Sequence, residues 1–242
     1  SMFIEPNILI VKHLIIHDEQ LKGLKIVFAS DFHVKPHETY RLNKIVRTIN
    51  EQNPDIVLFG GDYVNGHKKG NSLSIEKIAK KFSYIVSKYG TYVVIGNHDG
   101  WQGKEEIIEA LKKNGINVLF NNNACFKDFC IAGVDDLQTG NPDIEKALSG
   151  VNKPVILLTH TPDIMPNVPY NVNLTLAGHL HGGQVRLNKA LIVPSIYGDK
   201  YANGFLNDNG KKIYTTKGLG TSIFPIRFNC PPEIVVIEFP LH

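Results

Sequence analysis

Five short blocks in this 242-residue sequence carry side chains that bind cations: Asp31-x-His33, Gly61-Asp62, Gly96-Asn97-His98-Asp99, His160 and Gly178-His179-Leu180-His181. Neutral imidazoles together with hard oxygen donors suit Mn, Fe, Zn or Co, whereas an all-carboxylate set favours Mg or Ca. Taken singly, each block has a plain structural explanation. An Asp after a strand often caps a helix, and a lone buried His is more often a hydrogen-bonded core residue than a ligand. The ordered set is different, because every block stands at the end of an apolar run.

Those runs are the elements that must position the blocks. Leu24–Ala29 is short, apolar and partly β-branched, and polarity returns abruptly at Ser30-Asp31, which reads as a buried strand delivering Asp31 at its tip. Ile56–Phe59 does the same for Asp62, Tyr92–Ile95 for Asn97, Val155–Leu158 for His160 and Leu174–Ala177 for His179. Between them lie helical periodicities: Leu42, Ile45, Val46 and Ile49 from Thr39 to Gln52, then Ile75, Ile78, Ala79, Phe82, Ile85 and Val86 from Ser74 to Lys88. A third helix, Lys104 to Lys113, stops at Asn114-Gly115. Strands and helices alternating in this way imply parallel crossover units whose ligands collect at the carboxyl ends of the strands, so the five polar tips should converge. Beyond residue 200, turn clusters at Asn203-Gly204, Asp208-Asn209-Gly210 and Pro231-Pro232 separate the β-rich runs Ile213–Thr216 and Ile234–Glu238, which read as mixed or antiparallel strands of a second sheet. One domain spanning 1–242 is the expectation for this length.

In order and spacing the five blocks resemble the pattern of the calcineurin-like metallophosphoesterases: D-x-H, G-D, G-N-H-[DE], a lone H, and G-H-x-H. The resemblance implies an α/β fold, a four-layer αββα sandwich with two central mixed β-sheets. It implies that Asp31, His33 and His181 hold one divalent metal ion, that Asn97, His160 and His179 hold a second, and that Asp62 bridges both. Two ions so held activate water for attack on phosphorus and neutralise charge on the phosphoryl oxygens. His98, next to a ligand but not itself one in the family, contacts substrate and protonates the leaving oxygen, a role suited to near-neutral titration. Where the protein-phosphatase members carry GDxVDRG, this sequence has Asn65-Gly66 after Gly61-Asp62. The usual carboxylate partner of the catalytic His and one phosphate-clamping Arg are therefore missing, and a Ser/Thr protein phosphatase is not expected.

Outside the five blocks the chain is similar to a bacterial phosphodiesterase branch often called YkuE- or YaeI-like, through Ile4-Glu5-Pro6-Asn7, Gly133-Val134-Asp135-Asp136, Gly182-Gly183-Gln184, Thr216–Gly220, Pro225–Phe228 and Cys230–Ile234. It departs from that branch at Leu180, commonly Thr, and Lys217, commonly Arg. The resemblance implies hydrolysis of a phosphodiester or pyrophosphate bond, on a lipid-linked or nucleotide substrate such as the UDP-2,3-diacylglucosamine that one relative cleaves. A broad phosphomonoesterase and a catalytically silent metal-binding scaffold are the alternatives. Members of the branch frequently carry an N-terminal hydrophobic anchor, which makes peripheral membrane association an expectation and leaves the location as cytoplasmic or membrane-associated.

Arg186 and Arg227 are candidates for bidentate phosphate binding and Asp136 for substrate contact, weighed against ion pairing and a turn role. His37 and His67 follow the first two tips and are either pocket-lining or exposed loop residues. The 26 basic and 23 acidic residues, net +3, are scattered, so no dedicated nucleic-acid groove is expected. No apolar run approaches the roughly 20 residues that span a bilayer. Cys125, Cys130 and Cys230, an odd count without CxxC spacing, read as buried free thiols rather than a disulfide framework.

Overall fold

The structure, a computed structural model, describes residues 2–187 and 193–241. Two six-stranded sheets lie face to face. The first runs in the order β1 (Ile10–Ile15), β12 (Glu233–Glu238), β2 (Lys25–Ala29), β3 (Ile56–Phe59), β4 (Thr91–Val93), β5 (Asn117–Val118). The second runs β10 (Gly204–Asp208), β11 (Lys211–Thr215), β9 (Leu174–Ala177), β8 (Val155–Leu158), β7 (Cys130–Gly133), β6 (Asn122–Cys125). Pairing is parallel through both sheet centres; β12 is antiparallel to β2, β10 to β11 and β6 to β7.

Burial pattern dictates the layering. The central strands β2, β3, β8 and β9 are almost wholly buried, as expected of strands covered on both faces. Ile26, Phe28 and Leu58 from the first sheet and Ile156, Leu158 and Leu176 from the second form one apolar cluster, which is the seam between the sheets. The alternate residues Val27, Ala29, Val57 and Phe59 pack outward against α1 (Thr39–Glu51), α2 (Ile75–Phe82) and α3 (Asn97–Lys113). Ala132, Leu157 and Ile213 pack outward against α4 (Ile144–Ala147) and the 3-10 turn Pro162–Asn167. Helix, sheet, sheet, helix is the four-layer arrangement expected from the sequence. Among the described residues no helix is long and apolar enough to cross a membrane.

Four sequence expectations are corrected. α2 ends at Phe82 rather than Lys88, because the Asn50 side chain takes over the backbone there: its amide donates to Tyr84 O at 2.9 Å and accepts from Val86 N at 2.9 Å, leaving Val86 exposed. α3 starts at Asn97, a full seven residues before the periodicity becomes visible, since Gly100 and a kink at Gly103 interrupt the pattern. β12 joins the first sheet between β1 and β2 instead of the second. Cys125 and Cys130 are directly opposed across the β6–β7 pair and form a disulfide, with Cys125 exposed; only Cys230 is a buried free thiol.

Candidate metal centre

The tips of β2, β3 and β4 in one sheet and of β8 and β9 in the other open at the same end of the seam, so Asp31, Asp62, Asn97, His160 and His179 meet there, joined by His33 and His181 from the turns that follow. The backbone makes the convergence possible. Asp31, His33, Asp62, His179 and His181 all have positive φ, between 40° and 70°. Left-handed backbone is uncommon in residues bearing a Cβ and concentrates at functional sites, where the surrounding contacts hold it in place. Glycines make room: a Cβ on Gly96 would stand 2.3 Å from the Asp62 carboxylate, and one on Gly178 2.1 Å from Ser30 Oγ.

Two groups of donor atoms result. In one, His33 Nε2 and His181 Nε2 are 3.1 Å apart and His181 Nε2 is 3.6 Å from Asp31 Oδ1. In the other, Asn97 Oδ1 is 2.9 Å from His160 Nε2 and 3.0 Å from His179 Nδ1, and those two nitrogens are 3.2 Å apart. Asp62 Oδ2 stands between them, 3.5 Å from His33 Nε2 and 3.4 Å from His160 Nε2. All seven side chains are buried.

The donor set fits divalent metal ions. Separations near 3 Å are those of neighbouring ligands that each lie about 2.0–2.2 Å from a common ion. Imidazole nitrogens pointing at one another and at an amide oxygen crowd lone pairs together with too few protons to bridge them, and a cation relieves that crowding. Outer contacts agree. His160 Nδ1 is 2.7 Å from Gly60 O, so Nδ1 keeps a proton and Nε2, on losing its own, is the nitrogen that ligates; the orienting carbonyl is the usual partner of a metal-binding imidazole. At the rim, Gln138 Nε2 lies 3.1 Å from His179 Nε2.

Electrostatics are those of a desolvated cluster. Burial drives His33 down to about 3 and His179 down to about 4, so both are neutral near pH 7. Burial also raises Asp31 to about 7, helped by the neighbouring Asp62 charge. Burial alone would raise Asp62 too, but His160, His33 and His98 outweigh it and hold that carboxyl well below the carboxylate range. His160 is opposed in the same way: burial lowers it, Asp62 and Asp31 raise it, and it ends at about 10.

His98, in the first turn of α3, lines a cleft of about 450 Å³ that also exposes Asp62, Asn97, His179 and His181. One wall is His67 stacked on Trp101, ring centroids 4.4 Å apart; the other is apolar, with Val185, Ile223, Phe224 and Ile226. No Lys or Arg is among the described residues lining it.

The remaining sequence candidates lie elsewhere. Arg227 is fully buried and its guanidinium donates to the carbonyls of Lys217, Gly218, Gly220 and Cys230, so it braces the loop against Asp31 and does not face the cleft. Arg186 donates to Gly182 O at 2.9 Å and pairs with Asp199, steadying the turn after His181. Asp136 is buried and accepts from Gln138 N, Thr139 N and Thr139 Oγ1, a turn that presents Gln138 to His179. His37 is exposed and lines no part of this cleft; His67 does. Sequence reasoning gave no role to Asp99, Gln102, Trp101 or Gln138. For Asp99 a signal existed, its place inside the Gly96–Asp99 block; the others carry none without the fold.

The comparisons fit this geometry. A model of the calcineurin-like phosphoesterase family matches residues 24–183. The chain is 34% identical over 226 residues to metallophosphoesterase YkuE of Bacillus subtilis, covering 88% of this chain and 78% of that protein. It is likewise 34% identical over 226 residues to phosphodiesterase YaeI of Escherichia coli, covering 88% of this chain and 81% of that one. Among solved structures, a dimetal phosphatase from Danio rerio matches with a TM-score of 0.51 at 12% identity, over 82% of this chain and 88% of that one, which is a likeness of fold.

Proposed function

This chain belongs to the calcineurin-like phosphoesterase family and is a hydrolase of phosphoester bonds, and within that family we propose that it is a two-metal enzyme cleaving a phosphodiester or pyrophosphate bond. The observation that carries the proposal is the position of Asp62 Oδ2 between two donor groups, 3.5 Å from His33 Nε2 and 3.4 Å from His160 Nε2. Asp31, His33 and His181 would hold one ion and Asn97, His160 and His179 the other, with Asp62 available to both groups and Mn, Fe, Zn or Co as the suited metals. Bound there, the pair supplies Lewis-acid charge to the phosphoryl oxygens and lowers the pKa of water.

The chain's own part is to position and to move one proton. Neutral His33 and His179 are ready to ligate near pH 7. His98 Nδ1 is engaged by Gly66 O, which turns the rest of the ring to the cleft, where it protonates the leaving oxygen. The name of the similar YaeI, a phosphodiesterase, supports a diester substrate. The apolar wall of Val185, Ile223, Phe224 and Ile226 supports a lipid-linked substrate over a free nucleotide, and the exposed Phe3, Ile223 and Phe224 support contact with a membrane surface.

The test is metal-reconstituted protein assayed on p-nitrophenyl phosphate beside bis-p-nitrophenyl phosphate. Preference for the bis-ester is expected; preference for the monoester, or silence on both with two ions bound, rejects the reading.

A further inference from the structure

A backbone carbonyl stands where the sequence lacks a carboxylate partner for His98. His98 Nδ1 is 3.0 Å from Gly66 O. A carbonyl oxygen only accepts, so Nδ1 carries a proton in either charge state, and the second proton of the imidazolium, the one handed to the leaving oxygen, is on Nε2 toward the cleft. The same carbonyl is gripped from a second side: Gln102 Nε2 donates to Gly66 O at 2.8 Å and to Asn65 O at 2.8 Å. Two carbonyls before one amide fix which way it points, since only its NH2 end can satisfy both.

Gln102 lies four residues beyond His98 on α3 and therefore on the same face of the helix. It is 7% exposed, whereas the loop it holds, residues 67–71, is exposed throughout. Gly66 has φ +79°, so the carbonyl reaches His98 through a left-handed turn, closed by Asn65 Nδ2 donating to Asn71 O at 2.9 Å and flanked by the His67–Trp101 stack. Gln102 supplies the anchor from the rigid side. We infer that Gln102 is a positioning residue for the proton donor of this site, fixing the ring orientation and tautomer of His98 through the Gly66 carbonyl in place of a direct carboxylate partner. The inference rests on the reading of His98 as the group that protonates the leaving oxygen.

Two measurements on the zinc-loaded protein test it. In nitrogen–proton correlation spectra of the imidazoles, the neutral form of wild-type His98 is expected as the Nδ1–H tautomer, the form that takes its second, transferable proton on Nε2; a neutral Nε2–H tautomer overturns the inference without any variant. Gln102→Met keeps the volume and removes both donors. Its kcat should fall by about 10–100-fold, the usual span for an outer-contact residue, on methyl phenyl phosphate, with a much smaller loss on methyl 4-nitrophenyl phosphate, whose leaving group needs little protonation. KM and the content of two zinc ions per chain should hold. Equal loss on both esters, or loss of zinc, assigns Gln102 a merely structural part and overturns the inference. His98→Ala run in parallel separates the failures: if it discriminates between the esters and Gln102→Met does not, only the role of Gln102 falls, and if neither discriminates, the proton-donor reading falls with it. Should Gln102→Met not fold, Gln102→Glu, equal in size but without an amide N–H, carries the same expectation.

Discussion

The carboxylate of Asp99 receives the backbone N–H of Asp62 at 2.8 Å, and it also receives those of Tyr63, Val64 and Gly96. A side chain in the first turn of α3 thus fixes the peptide that delivers Asp62, the carboxylate standing between the two donor groups. Asp99→Asn sets amide donors against some of those N–H groups. A loss of about 3 kcal/mol in unfolding free energy is expected, from buried donors left without acceptors. Urea unfolding of the metal-free protein checks it; a change under about 0.5 kcal/mol, the range of neutral surface changes, would refute it.

Metal uptake should compete with protons, and the direction follows from the shifts. Asp31, raised to about 7 by burial, holds a proton below that pH, and His160, raised to about 10 by Asp62 and Asp31 against the effect of burial, holds one up to much higher pH. Both must give up the proton to ligate, so affinity should fall as pH drops through 7, and uptake between 7 and 10 should still release the His160 proton. His33 and His179, lowered to about 3 and about 4, contribute no release in that window. Calorimetric titration with zinc in buffers of different ionisation enthalpy measures the protons; uptake with no release at pH 8 contradicts the scheme.

Arg227→Met should weaken one ion site more than the other. The guanidinium braces the carbonyls of Lys217, Gly218 and Gly220, and Gly218 and Gly220 lie against Asp31 and His33, which belong to the first donor group. Leaving those buried carbonyls without their donor is expected to cost about 1–3 kcal/mol. Metal analysis after dialysis should find fewer than two ions per chain, with Arg227→Met still binding the ion of Asn97, His160 and His179. Retention of both ions at wild-type affinity would refute the claim.

Ile223→Ser with Phe224→Ser should raise KM for phosphodiesters bearing a long alkyl chain while sparing the methyl ester. Each side chain is largely exposed on the apolar wall, so serine there costs little stability. Burial of alkyl surface is worth about 25 cal/mol per Å², enough for a tenfold change in KM per 50–60 Å² lost. Equal KM changes for dodecyl and methyl esters would show that the wall does not hold the chain.

Much of the fold was legible because the relevant signals are local. Apolar runs breaking at Asp31, Asp62, Asn97, His160 and His179 identify five strand tips from a few residues each, and alternation with helices implies that the tips share one end of the sheets. What escaped depends on distant partners. Nothing near Phe82 says that Asn50 will claim the backbone at Tyr84 and Val86. The place of β12 between β1 and β2 is a register between chain ends, and the Cys125–Cys130 pairing is set by the β6–β7 hairpin rather than by any metal or redox spacing. Arg227 and Asp136 looked available for substrate because charge is visible in a sequence while burial is not; their hydrogen bonds go to loops under the site.

The donors come from both halves of the sandwich: Asp31, His33, Asp62 and Asn97 follow strands of one sheet, His160, His179 and His181 strands of the other. In the proposed centre each ion would therefore have ligands on both sides of the seam and would act as a cross-link at its open end. Chelation should do more than silence the enzyme: the two halves lose a fastener, and melting temperature should drop with the free concentration of zinc, as binding linkage requires.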